Sequence, residues 1–81
     1  MQTNYLPGQV IEWHTHKLTH VSYVLNGAFM AQSEFDDKEQ YFAPDAIIIN
    51  PMGQKMRHGA PKDIHAEILF IYNDEFNINY L

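Results

Sequence analysis

Apolar and polar residues alternate along most of this chain with a period of two, and short turn signatures interrupt the alternation every few residues. Val10 to His16 alternates moderately, and Val21 to Asn26 alternates strongly up to Gly27. Ala28 to Phe35 reads as the second arm of a hairpin, followed by the polar turn Phe35-Asp36-Asp37-Lys38. Glu39 to Ala43 is a short strand before the Pro44-Asp45 turn. Ala46 to Asn50 holds three consecutive isoleucines, which suits a strand buried on both faces. Pro51-Met52-Gly53 breaks it, Lys55 to His58 is a further short strand, and Ile64 to Tyr72 is the last. Residues 1–7 read as irregular and carry no motif. No 3.6-residue period is sustained over a helical length. About seven short strands predict one all-β domain over residues 1–81, a small antiparallel sandwich or β-barrel.

Composition narrows the possibilities. At 81 residues the chain is near the lower limit at which a single core holds without help. It is 46% hydrophobic and 14% aromatic, and part of that surface is expected to be buried against a second copy, giving a homodimer. Exposed strand edges and the apolar residues Phe76, Ile78, Tyr80 and Leu81 point the same way. There is no cysteine, which excludes disulfides and thiolate metal sites. The N-terminus lacks the basic and apolar regions of a signal peptide, so a cytoplasmic protein is expected. The longest apolar run is about five residues, against the ~20 of a membrane-spanning helix, and no membrane association is expected. Five basic against ten acidic residues give a formal net charge of −5, which argues against direct binding of nucleic acid.

The candidate chemistry is imidazole. His14 and His16 are two apart, so an extended backbone sends both side chains from one face, and Glu12 shares that parity. His20 opens the strongest strand, with Ser22 and Val24 on its face. Met56 and His58 share a face in the same way. A lone His65 at the start of the last strand reads as a surface or edge residue. The aromatics Trp13, Phe29, Phe35, Tyr41 and Phe42 read as core and interface. No nucleophile constellation and no phosphate-binding glycine loop is present, so any enzymatic activity would have to come from a metal.

The spacing resembles that of the cupins. Gly8, His14, His16 and Gly27 fall in register with the first cupin motif, with His20 at its glutamate position. Pro51 and Gly53 match the second motif, in which Asp45 replaces the first glycine and Met56 stands at the histidine position. The resemblance covers roughly residues 6–72. Leu6-Pro7-Gly8, the end of the strand at Tyr23-Val24-Leu25-Asn26-Gly27 and the Asn50-Pro51-Met52-Gly53 turn look most like the sensor domain of AraC-type transcription regulators.

That resemblance implies a jelly-roll barrel that binds a small molecule near Glu12, His14, His16, His20, Ser22, Val24 and Met56 and pairs with a second copy. The helix-turn-helix of such regulators is not in this sequence, which leaves an excised sensor domain or a stand-alone cupin. Carried over residue by residue, the metal ligands would be His14, His16, His20 and His58. An all-imidazole set would suit Zn, Fe, Ni or Cu. Two readings of the histidines stand side by side: ligands to one divalent transition metal, or polar barrel residues that contact an effector. The alternative function is that of a stand-alone metal-dependent cupin enzyme, an oxygenase or isomerase, and a dimerisation domain with a filled barrel is the third.

Overall fold

A computed structural model describes residues 1–72. The apolar residues Phe76, Ile78, Tyr80 and Leu81, expected to support dimerisation, lie outside the described residues. Eight strands are present: β1 (Gln2–Tyr5), β2 (Val10–His14), β3 (His20–Gly27), β4 (Phe29–Ser33), β5 (Gln40–Phe42), β6 (Ile47–Asn50), β7 (Met56–Gly59) and β8 (Ala66–Tyr72). They form two four-stranded sheets, one in the order β1-β8-β3-β6 and the other β2-β7-β4-β5, with every pairing antiparallel. No described helix is long and apolar enough to cross a membrane. The all-β class expected from the alternation, and the jelly-roll arrangement that the cupin resemblance implies, are the ones observed.

The core forms where the inward sides of the two sheets meet. Val24, Ile68 and Phe70 come from one sheet and Phe29 and Ala31 from the other, with Tyr5, Ala60 and Ala66 closing the same cluster. Strands β3 and β8 show why: their buried residues recur at every second position, as one-sided burial of a pleated strand requires. His20, Ser22 and Asn50 are also fully buried on this inward side.

Three local expectations change. The residues after Gly27 do not fold back as a hairpin on β3. β4 pairs with β5 and β7, so the chain crosses from one sheet to the other at Gly27. That glycine has a φ of +75°, and a Cβ there would run into the backbone carbonyl of His65. The triple-isoleucine strand is not buried on both faces either. β6 is the edge of its sheet, and Ile47 and Ile49 are each 66% exposed on the outward side, while Ile48 faces in opposite Ser22. Lastly, residues 2–5 form a true strand against β8. Among the aromatics, Phe29 is core and Phe42 packs against it, whereas Trp13, Phe35 and Tyr41 are exposed. His65 is exposed as expected, with Nε2 3.3 Å from Glu67.

Gly27 and Gly53 share the left-handed backbone but not the crowding, because nothing lies within 4 Å of a Cβ built on Gly53. Gly27→Ala should therefore cost about 3 kcal/mol or more, from strain plus collision with main chain. Gly53→Ala should cost only about 1–2 kcal/mol, from backbone conformation alone. Urea unfolding of the two variants measures the difference, and equal midpoints would contradict this account of the crossover.

Candidate metal centre

The ligand set begins with an irregularity in β2. Ile11 pairs with His58 and His14 pairs with Met56, so Glu12 and Trp13 together oppose the single residue Arg57. This is a β-bulge, in which one extra residue reverses the inward and outward alternation beyond it. Ile11 and His14 both lie on the side of His58 and Met56, and Glu12 is left on the outside. The expected parity of Glu12 with His14 is therefore broken. Glu12 is 69% exposed in its side chain and accepts a hydrogen bond at 3.1 Å from Arg57 Nε, whose Nη1 also donates to Glu39 at 2.7 Å. Glu12 is not gathered with the histidines.

His16 lies beyond the end of β2, in a loop fixed from the other motif. Gly53 N donates to His16 O at 3.0 Å, and Met52 N donates to Thr19 Oγ1 at 3.0 Å. The Pro51-Met52-Gly53 turn thus holds the loop that carries His16. At the other end of β6, Asp45, which stands at the motif's first glycine position, has a φ of +79°, and Asp is one of the few residues that tolerates this conformation. The Tyr23 hydroxyl donates to Asp45 Oδ1 at 2.6 Å and anchors it.

His14, His16 and His58 converge. His14 Nε2 is 3.0 Å from His16 Nε2 and 3.1 Å from His58 Nε2, and one nitrogen from each of the three lies within 4.8 Å of the others. Two nitrogens bound at about 2.0–2.1 Å to one ion stand at about this separation, so the set fits a single divalent transition metal. Tautomers are controlled from behind. His14 Nδ1 donates to the Glu12 carbonyl at 2.6 Å, and a carbonyl can only accept, so the Nε2 lone pair faces the cluster. His58 Nδ1 is 3.3 Å from the Tyr5 hydroxyl, which supports the same orientation. Burial, with Tyr72 adding to it, pushes the Tyr5 phenol up to about 12, so it stays a neutral hydrogen-bonding group.

The surroundings of His16, His20 and His58 favour neutral imidazole, which is the ligating form. Burial, reinforced by His14, His16 and His20, pulls His58 down to about 3. Burial and the neighbouring His16 pull His20 down to about 4, against a backbone hydrogen bond to Leu18 that acts upward. His16 is lowered by burial and by His14. Three buried polar atoms find no partner among the described residues: His16 Nδ1, His20 Nδ1 and Asn50 Oδ1. Each such atom costs about 1–3 kcal/mol, and a bound hydrated ion or polar ligand would satisfy them.

The other expected residues fall around this cluster. His20 stands behind it, its ring 4.3 Å from that of His16, but it is not one of the three that share a ligand point. Ser22 accepts from Asn50 Nδ2 at 2.8 Å, and Val24 is packed into the core. Met56 is buried opposite His14 and lines a cavity of about 190 Å³ between the sheets. A hollow of about 240 Å³ lies on the outward face of the second sheet, where Arg57 is already engaged by Glu12 and Glu39. Two residues were missed from sequence. Asn50 was signalled only by its place in the Asn-Pro-x-Gly turn, and Tyr5 sits in a stretch without a motif.

No protein-family model matches the sequence, and no similar curated protein is found. Solved structures do match. A cupin-like protein from Thermotoga maritima MSB8 superposes with a TM-score of 0.82 at 18% identity, over 96% of this chain and 58% of its own. A cupin superfamily protein from Desulfitobacterium hafniense DCB-2 gives 0.70 at 14% identity, over 88% of this chain and 62% of its own. A putative mannose-6-phosphate isomerase from Ralstonia eutropha JMP134 gives 0.65 at 16% identity, over 88% and 64%. This chain thus spans less than two thirds of the length of each of these three proteins. With the two sheets and their order already established, these superpositions show that the chain has the cupin fold.

Proposed function

We propose that the chain is a small-molecule-binding cupin in which His14, His16 and His58 hold one divalent transition metal. The observation that carries this reading is the convergence of three imidazole nitrogens, at 3.0 and 3.1 Å, with the His14 tautomer set by a backbone carbonyl. Neutral imidazoles leave the full charge of the ion uncompensated, and such an ion acts as a Lewis acid on oxygen groups of a ligand. The chain's own part is to orient the ligand nitrogens through Glu12 O and Tyr5, to disfavour protonation of His16 and His58 by burial, and to exclude bulk water with Phe29 and Phe70, whose rings lie 5.8 and 5.9 Å from that of His58.

Two uses of such a site follow. The sequence motifs that resemble AraC-type sensors support an effector-binding role, in which the ligand shifts the barrel between states. The three-histidine cluster favours the alternative, a metal-dependent oxygenase or isomerase, because three protein ligands leave coordination positions open. Pairing with a second copy belongs to the same proposal. It is supported by Ile47 and Ile49, exposed on an edge strand.

Untagged protein titrated calorimetrically with Zn²⁺, Ni²⁺ or Fe²⁺ should bind one ion per chain. His16→Ala should abolish binding, Tyr5→Phe should weaken it roughly 10–100-fold, and His65→Ala should leave it unchanged. No binding by the unmodified chain would refute the centre.

Acid should destabilise the metal-free protein. His20 and His58 titrate lower in the folded chain than their ordinary 6.5, so the unfolded state takes up more protons as the pH falls. Their contribution is full above about 6.5 and is lost towards about 4 and about 3, with a slope of roughly 1.4 kcal/mol per pH unit for each group. Denaturation midpoints that stay flat from pH 7 to 4 would contradict this. Light scattering should show a dimer at micromolar concentration, converted to monomer by Ile49→Lys; a monomeric parent chain would rule the pairing out.

A further inference from the structure

Asn26 and Gly27 end β3 where the chain crosses between the sheets, and they set a nitrogen nucleophile beside a carbonyl carbon. β3 carries a bulge of its own there. Val24 pairs with Ile68 and Asn26 with Glu67, so Leu25 and Asn26 together oppose the single residue Glu67. Asn26 is exposed, and its side-chain amide is held at both ends. Gly27 N donates to Asn26 Oδ1 at 2.8 Å, and Asn26 Nδ2 donates to Glu67 Oε2 at 3.3 Å. A carbonyl bond is about 1.23 Å long, so the Gly27 nitrogen lies at most about 4 Å from Asn26 Cγ.

A main-chain nitrogen this close to a side-chain amide carbon can close a five-membered imide ring, and reaction within one chain gains strongly from such proximity. A bulky side chain on the following residue screens its nitrogen; glycine provides no screen and the widest backbone freedom. The other asparagines among the described residues lack this arrangement. Asn50 is fully buried and precedes Pro51, which has no N–H. Asn4 precedes the large, buried side chain of Tyr5.

We infer that Asn26 is a site of spontaneous covalent modification, converted by ring closure onto Gly27 and hydrolysis into aspartate and isoaspartate. Gly27 N gives its proton to solvent base and bonds to Cγ. The Cγ–Nδ2 bond breaks, and Nδ2 takes up a proton and leaves as ammonia. Water then opens the imide. Opening at Cγ gives aspartate on the normal main chain, and opening at the main-chain carbonyl gives isoaspartate, in which the main chain runs through the side-chain carbons. Water is the one co-reactant, and nothing is oxidised or reduced. Both products act on the crossover. Aspartate sets a second carboxylate opposite Glu67, where like charges on paired strands repel. Isoaspartate lengthens the main chain by one carbon next to Gly27, where even a single Cβ would run into the backbone carbonyl of His65. That carbonyl also accepts from Ala28 N at 3.1 Å, so the added carbon falls on the contact that ties the crossing chain to the start of β8.

The full chain, folded and in urea, is incubated at mildly alkaline pH, and peptide mapping by mass spectrometry reads conversion at each asparagine. In the folded chain Asn26 should convert about tenfold or more faster than Asn4 and Asn50, and folding should slow it by less than about tenfold relative to urea. Stronger protection by folding, or conversion no faster than at Asn4, overturns the inference. Asn26→Gln, which would need a six-membered ring, should abolish conversion at this position; an unchanged rate there would show a different chemistry and overturn the ring mechanism. The isoaspartyl chain, separated from the parent, should unfold at a lower urea concentration, with Asn26→Asp between the two. An isoaspartyl midpoint equal to the parent's overturns the assignment of the crossover as the place where the modification acts.

Discussion

One extra residue in β2 is the constraint on which the site depends. Without the bulge at Glu12 and Trp13, regular pairing from Ile11 onward would turn His14 out of the barrel and set Trp13 opposite Met56. With it, His14 faces His58 across the inward side, and the displaced Glu12 becomes available to Arg57 outside. The Arg57 pairs are therefore a consequence of the same irregularity, and they hold the bulged strand against the sheet from its outer face. Arg57 bridges β2 and the residue preceding β5 through Glu12 and Glu39, and reaches Gln32 of β4.

The two halves of the histidine cluster are joined by main chain. The Pro51-Met52-Gly53 turn donates to the loop carrying His16, and Asn50 at the end of β6 lies opposite His20. Segments thirty or more residues apart in sequence thereby fix one another, and Tyr5, from a third segment, orients His58. The price is a set of buried polar atoms without partners, which a core built only for stability would not retain. Burial also disfavours the charged form of His16 and His58, so the energetic penalty and the chemical competence have one origin.

Charge is distributed with the same division of sides. Arg57 is engaged by Glu12 and Glu39 on the outer face of its sheet and reaches Gln32, while the cavity beside Met56 is lined by amides, a hydroxyl, a carboxylate and apolar side chains.

Alternation and turn chemistry act between near neighbours, and they determined the all-β class, most strand positions and the turns at Gly8, Gly27, Asp45 and Gly53, where the structure shows a left-handed backbone. The pairing of His14 with His16 was legible for the same reason, whereas His58 entered only through the cupin resemblance and His20, counted with them from sequence, stands outside the three that converge. Sheet membership was not. A glycine after a strand is compatible with a hairpin or with a crossover, and only the packing of β8 beside β3 decides for the crossover at Gly27. Three isoleucines fit a central strand or an edge, and the position of β6 at the rim exposes two of them. Glu12 was misplaced because strand parity is a local rule, whereas a bulge is set by the partner strand. Tyr5 was invisible because its role lies in a contact fifty-three residues away. What the sequence by itself determined is local backbone preference and the chemistry on offer; which side of which sheet each group faces was decided by pairing between distant strands, since that is where register is set.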